Sequence, residues 1–450
     1  MGPLAAGLWA VGVVNWPDCR VASSVALDPR VLLAPRAFYP GARITTWPPM
    51  STQTPTPTAP PHPRQASAHL VGRYGRSSSG PTVIVAGGLH GNEPSGVEAL
   101  RRVFERLQSQ RPPFQGQLVG LAGNLSALEQ QERFLEEDLN RIWTPERVEA
   151  LRQSGASFGS LEQREQHELL EVLTEVLVGA NGEVYFLDLH TSSARGEPFV
   201  CIGDTLRNRA FAMQFPVPMI LGLEEQIDGA LLEYVNNLGH VTVGMEAGEH
   251  DHPHSVDHHE AFVLLALVAA GCLPESELQE ADSLRAILRR AAGRLPAVME
   301  VRYRHAITAG DGFQMQSGYT NFQPVAEGEL LARSANGEIH ARESGRVLLP
   351  LYQGLGSDGF FVVREVRPFW LRLSAALRHL GAGYIAHWLP GVHVSENPDT
   401  VVADQRVARW FVVEVFHLLG FRKRRVVGNK LYFSRRRERS WSHAAGSRRS

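Results

Sequence analysis

Gly87-Gly88-Leu89-His90-Gly91-Asn92-Glu93 sets an imidazole and a carboxylate three residues apart, directly behind the apolar run 82–86. Nitrogen and oxygen donors of this kind suit Zn²⁺, whose catalytic sites take three protein ligands and leave the fourth position to water or substrate. The segment supplies two of the three. His190 is the best source of the third, because it closes Val184-Tyr185-Phe186-Leu187-Asp188-Leu189-His190, an apolar run with its charged and imidazole groups at the far end. Alternation along an extended strand puts Asp188 on the face of His190 and away from Leu187 and Leu189, so Asp188 reads as a partner of the histidine rather than a ligand. A second set of groups is Asp138-Leu139-Asn140-Arg141, with Arg133 five residues before Asp138. Its planar guanidiniums grip a carboxylate through two parallel hydrogen bonds, which points to a carboxylate-bearing substrate. The competing reading of the same stretch is a solvated, ion-paired helix surface, since Glu129, Glu132, Glu136 and Glu137 surround the arginines.

Both histidines need rigid strand ends to meet. From about residue 68 the pattern alternates between strand and helix, with strands at 82–86, 118–122, 184–189 and 241–245 and helices from Ser95 and over 161–178. That order predicts an α/β fold with a mostly parallel, doubly wound sheet. His90 and His190 then fall at the C-terminal ends of strands, where open α/β sheets place their ligand sites. Pro94 fits a helix's first turn, and Gly96 permits close packing.

Four segments, in order, resemble the succinylglutamate desuccinylase and aspartoacylase family of zinc amidohydrolases, relatives of the zinc carboxypeptidases. They are GGLHGNEPSG at 87–96, RFLEEDLNR at 133–141, FLDLHTSS at 186–193 and VGMEAG at 243–248. The likeness covers roughly residues 68 to 365. It implies a zinc carboxypeptidase-like fold and one zinc ion per chain, held by His90, Glu93 and His190. It also implies Glu246 as general base, Arg133 as the group that polarises the scissile carbonyl, and Asn140 with Arg141 as the substrate-binding pair. Zinc lowers the pKa of bound water from about 15.7 to 7, and a positioned carboxylate adds roughly 10²- to 10⁴-fold by moving the proton. The resemblance thus implies a hydrolase that cleaves the amide of a small N-acylated, carboxylate-bearing metabolite.

Two departures leave the acyl group and amine open. Family members selective for acetylated aspartate carry an arginine ten residues before the general base, where this chain has Asn236. Their C-terminal domain also contributes a tyrosine, where this chain has the Gly-rich stretch 354–359. Two rival functions are a carboxypeptidase acting on peptides or cell-wall stems, and a non-catalytic metal- or ligand-binding protein. His250, His252, His254, His258 and His259 crowd a short stretch beyond Glu246. With Pro253 they read as a surface loop before the apolar helix 261–270, at the substrate rim rather than around a second metal.

At 450 residues, with 43% hydrophobic and 20% charged, the chain has room for two or three globular domains. Pro and Thr crowd 47–63, so residues 1–67 read as a flexible N-terminal extension. Met50 opens that stretch, and residues 1–49 are expected to be absent from the natural product, which an intact mass would test. The catalytic α/β domain is placed at 68–275, a helical linker at 276–296, and a small β-domain at 297–367, where glycines punctuate short apolar runs. By the resemblance that β-domain caps the cleft and excludes polypeptides. An α/β extension of unread role spans 368–434, with a helix near 401–419 whose stripe Val407, Trp410, Phe411, Val415 and Leu418 reads as core packing.

Cys19, Cys201 and Cys272 lack metal or redox spacing, which fits a reducing compartment and a cytoplasmic location. No run of 18 apolar residues occurs, and the apolar stretch 4–14 has no basic region before it, so neither membrane insertion nor secretion is expected. The net charge of −2 conceals an asymmetry: 421–450 holds eleven Arg or Lys against the single acid Glu438. The basic tail 435–450 reads as solvated, and no nucleic-acid partner is expected.

Overall fold

The computed structural model describes residues 67–76, 80–153, 157–381, 391–395, 399–404, 412–427 and 430–435. The N-terminal extension up to residue 66 with its Met50, the stripe residues Val407, Trp410 and Phe411, and the tail from residue 436 lie outside the described residues.

Eight strands carry the first part of the chain: β1 (Leu70–Gly75), β2 (Thr82–Gly87), β3 (Gln117–Ala122), β4 (Val184–Ser192), β5 (Phe199–Ile202), β6 (Met219–Leu221), β7 (Val241–Glu249) and β8 (Val298–Ala306). β3, β2, β4 and β7 lie side by side and parallel, with β1 antiparallel on the outer edge of β3. β5, β6 and β8 form a second parallel group, joined to the first where β5 pairs antiparallel with β7. Strands apolar on both faces need cover on both sides. Val83, Val85, Leu187 and Leu189 enter one buried cluster with the helices Ser95–Gln110 and Pro253–Ala269. Ile84, Ala86 and Phe186 enter another, with the helices Leu161–Gly179 and Leu231–Asn237. The result is an α/β fold with a mostly parallel, doubly wound core.

Six further strands follow: β9 (Gln314–Met315), β10 (Pro324–Val325), β11 (Leu330–Ser334), β12 (Gly337–His340), β13 (Gly345–Leu348) and β14 (Asp358–Glu365). β14, β13 and β10 extend the central sheet from β8 in antiparallel fashion, and β12, β11 and β9 make a small separate sheet. The Gly-punctuated segment therefore shares the central sheet's hydrogen bonding. A four-stranded antiparallel sheet ends the described chain, from β15 (Val392–Val394), β16 (Thr400–Asp404), β17 (Phe421–Val427) and β18 (Lys430–Arg435). The helix that precedes it, Pro368–His379, is tied to the core through Arg378, which with Arg209 bonds the buried Asp204 carboxylate at 3.2 and 2.5 Å. No described helix is long and apolar enough to cross a membrane.

Two expectations need correction. The histidine-rich stretch is not a loop before a helix, because the helix already begins at Pro253, a residue preorganised for the first turn, with His252 as its cap. His259 is fully buried within that helix. The helix near 401–419 is shorter, Val412–Leu418, and 400–404 is the strand β16, with alternate residues Val401 and Ala403 buried.

Candidate active site

Three parallel strand ends bring the chemistry together. β2 ends at Gly87, and Gly88 turns the chain in the left-handed region at φ +70°, which a residue without a Cβ adopts freely. The turn carries His90 and Glu93, closed by the Glu93 amide donating to the His90 carbonyl at 3.1 Å. Gly96 lets the next helix press onto β4, since a Cβ there would stand 2.8 Å from that of Leu189. On β4 and β7, His190 and Glu246 are direct register partners.

The Glu93 carboxylate lies between the two imidazoles, its Oε1 2.8 Å from His90 Nδ1 and its Oε2 3.0 Å from His190 Nδ1. The Thr191 amide donates to Oε2 at 2.8 Å. Ligand atoms of all three side chains fall within 4.8 Å of one another, the one such group of metal-ligating residues among the described residues. The far nitrogens face carboxylates: His90 Nε2 is 3.2 Å from Asp138 Oδ1, and His190 Nε2 is 3.1 Å from Asp188 Oδ1. Two imidazoles and a carboxylate turned inward, each ring braced from behind, is a donor set that fits zinc. Burial would raise the Glu93 carboxyl, but the two imidazoles outweigh it and hold it well below the usual range. Burial likewise works against charge on His190, yet Asp188 and Glu93 hold its pKa well above normal.

Glu246 is half-buried at the pocket wall, with its Oε2 shielded from solvent and without a hydrogen-bond partner. Burial pushes its carboxyl up to about 8, with His190 opposing and Glu93 adding to the rise. A desolvated carboxylate with an unused oxygen can take up a proton from a group brought beside it.

The arginine-bearing stretch is not a helix surface. The preceding helix ends at Gln130, and the chain wraps around the fully buried Glu162, whose carboxylate accepts the amides of Leu135, Glu136 and Glu137 at 2.7–3.3 Å. Arg133 thereby reaches the pocket, 3.6 Å from Glu93 Oε1 and 3.2 Å from Asp138 Oδ2. Asn140 lines the same pocket, but its amide is engaged, Oδ1 accepting from the Leu231 amide at 2.8 Å and Nδ2 lying 3.2 Å from His190 Nε2. Arg141 donates Nη1 to the Asn140 carbonyl at 2.9 Å and Nη2 to Asp358 at 3.1 Å.

The sequence reading singled out neither Asp138 nor Asp358 as a site residue. Asp138 contacts His90 and Arg133 and also accepts the Asn140 amide at 2.9 Å, so one carboxylate braces three candidate groups. Burial would raise its pKa, but His90 and the arginines hold it well below normal. Its place in Asp138-Leu139-Asn140-Arg141 was the available signal. His250 lines the pocket too, with Nδ1 2.8 Å from Thr191 Oγ1, whereas His254 is exposed and pairs with Asp257 at 3.2 Å. Asn236 is buried away from this pocket's lining and donates to Thr242 Oγ1 at 2.7 Å.

Residues 79–270 match the family described as succinylglutamate desuccinylase/aspartoacylase catalytic domain. The succinylglutamate desuccinylase of Pseudomonas paraeruginosa is 33% identical over 69 residues, which is 15% of this chain and 21% of that protein. That of Pseudomonas aeruginosa is 27% identical over 119 residues, 26% of this chain and 33% of that protein. The matched stretches thus span only a fifth to a third of these relatives' lengths. Among solved structures, a succinylglutamate desuccinylase/aspartoacylase from Rhodobacter sphaeroides aligns at TM-score 0.47 and 21% identity, over 64% of this chain and 87% of that one. The product-bound ectoine utilization protein of Ruegeria pomeroyi aligns at TM-score 0.45 and 21% identity, over 64% and 85%.

Proposed function

Because residues 79–270 belong to the succinylglutamate desuccinylase/aspartoacylase family, we propose that the protein is a zinc-dependent deacylase hydrolysing the amide of a small N-acylated, carboxylate-bearing metabolite. The observation that carries this reading is the convergence of His90, Glu93 and His190 within 4.8 Å, with Glu246 in register beside His190. His90, Glu93 and His190 would hold one zinc ion per chain. When bound, zinc supplies a water that ionises near neutral pH and polarises the acyl carbonyl.

Glu246 takes the proton of the attacking water on its free oxygen and returns it to the leaving amine. Arg133, fixed by Asp138, stabilises the charge that develops on the carbonyl oxygen. Arg141 receives the substrate carboxylate. Asn140 fixes that arginine through its backbone carbonyl. The cavity offers about 140 Å³, room for a small acylated metabolite. A cytoplasmic location belongs to the same proposal.

The test is amine release from acetyl, succinyl and formyl amino acids by the full chain, with a short peptide panel alongside. The expected result is release from an acyl amino acid that chelation abolishes and zinc restores. Hydrolysis confined to peptides would replace this reading with a carboxypeptidase, and no turnover of either class would overturn it.

A further inference from the structure

Arg141 is the group to which a substrate carboxylate is assigned, yet a carboxylate of the protein already occupies it. Asp358, the first residue of β14, puts Oδ2 3.1 Å from Arg141 Nη2 and accepts the Ser357 hydroxyl on the same oxygen at 3.2 Å. Its other oxygen, Oδ1, is 2.5 Å from Nε of Arg304 on β8. Arg304 is itself anchored, because Nη1 donates to the Gln226 carbonyl. The Asp358 side chain is 12% exposed, and it lines the same cavity as His90, Glu246 and Arg141. Two guanidiniums thus share one carboxylate at the substrate end of the pocket.

A carboxylate this far from water needs a cationic partner, and a neighbour on the same chain competes at a high effective concentration. Displacing Asp358 from Arg141 does not strand it, because Arg304 still holds Oδ1. Arg141, in contrast, is left with a free guanidinium edge facing the cavity, the geometry that receives a planar carboxylate.

We propose that Asp358 is a specificity-determining residue that occupies the carboxylate seat on Arg141, so that a ligand enters by exchanging its own carboxylate for that of Asp358. The proposal rests on the deacylase reading of Arg141. A ligand anchored at one point meets the competition of Asp358 directly, whereas one that also reaches the His90, Glu93 and His190 end gains a second attachment. Asp358 therefore selects acyl substrates carrying a carboxylate at the matching distance, and rejects lone anions that would otherwise settle on an open arginine.

The test compares calorimetric binding of succinate and succinamide to the full chain, its D358N variant and its R141Q variant. The amide in Asp358→Asn keeps the side chain's shape and removes the competing charge. Succinate is expected to bind D358N about tenfold more tightly than the unaltered chain, with succinamide unchanged. If D358N fails to fold, Asp358→Ser gives the same comparison. Unchanged or weaker succinate binding by the Asp358 variant, with binding lost in R141Q, would overturn the exchange and leave the carboxylate seat standing. Succinate binding indifferent to R141Q would remove Arg141 as the seat, and with it both readings.

Discussion

The strand ends and the loop 349–358 enclose the same cavity, but different physics holds them. His90, Glu93, His190 and Glu246 issue from β2, β4 and β7, which pair in a parallel register and are packed on both faces by buried helices. His90 and Glu93 are 5% and 2% exposed. Residues 349–358 run from the end of β13 to the first residue of β14 and leave Tyr352 and Leu355 41% and 39% exposed. That loop reaches the opposite wall through side chains: Gln353 accepts from Asn92 at 2.8 Å, and Asp358 meets Arg141. A network fixed by the sheet preserves a reaction type, while one hung on a few side-chain contacts can change selectivity without disturbing the fold. On this comparison, changes at the strand ends act on the chemical step, and changes in the loop act on substrate binding.

Glu246→Gln gives the largest expected effect. The amide cannot take a proton from water, so kcat should fall by more than about 100-fold while zinc content stays at one per chain. Metal analysis beside the rate separates this from loss of the ligand set. Unchanged kcat would break the strand side of the comparison.

The pH profile sharpens the same assignment. Glu246 must be ionised to act as a base, so kcat/KM is full above its pKa and falls as pH drops through it. Burial raises the carboxyl from its ordinary 4.5 towards about 8, and a bound divalent cation works in the opposite direction. The acid limb should therefore be centred between these values and be absent from the residual activity of Glu246→Gln. An identical limb in that variant would assign the titration to another group.

Asp138→Asn ranks next, at about 10- to 100-fold in metal affinity or kcat/KM, because the carboxylate braces His90, Arg133 and the Asn140 amide together. Its effect should appear in zinc retention as well as rate. A change in KM alone would show that Asp138 belongs functionally to the loop side.

The same division governs what the sequence revealed. Apolar runs with alternating faces made β2, β4 and β7 legible, and the histidines at their ends were local to those runs. The Glu93 carboxylate could be placed because its spacing from His90 is set within one turn. Asp358 offered no such signal, since it meets Arg141 across 217 residues of sequence through the antiparallel pairing of β14 with β8. That pairing depends on β8 lying beside β6, a tertiary outcome that no local periodicity encodes. The histidine-rich stretch misled for a related reason. Its polar composition is that of a loop, but burial of His259 is satisfied by Ser95 Oγ at 3.3 Å and the His190 carbonyl at 3.1 Å, partners supplied by other elements.

Gln353→Ala probes the loop with the smallest expected effect. Gln353 Oε1 accepts from Asn92 at 2.8 Å and lies 3.4 Å from His250 Nε2, neutral contacts at the pocket mouth. Losing a hydrogen bond of this kind costs about 1 kcal/mol, and here it loosens the loop without touching the ligand set. KM should rise roughly three- to fivefold with kcat and zinc content unchanged, because the chemical groups stay fixed by the strands. A fall in kcat equal to the fall in kcat/KM would mean that loop closure completes the catalytic geometry, and the two walls would then have to be treated as one cooperative unit.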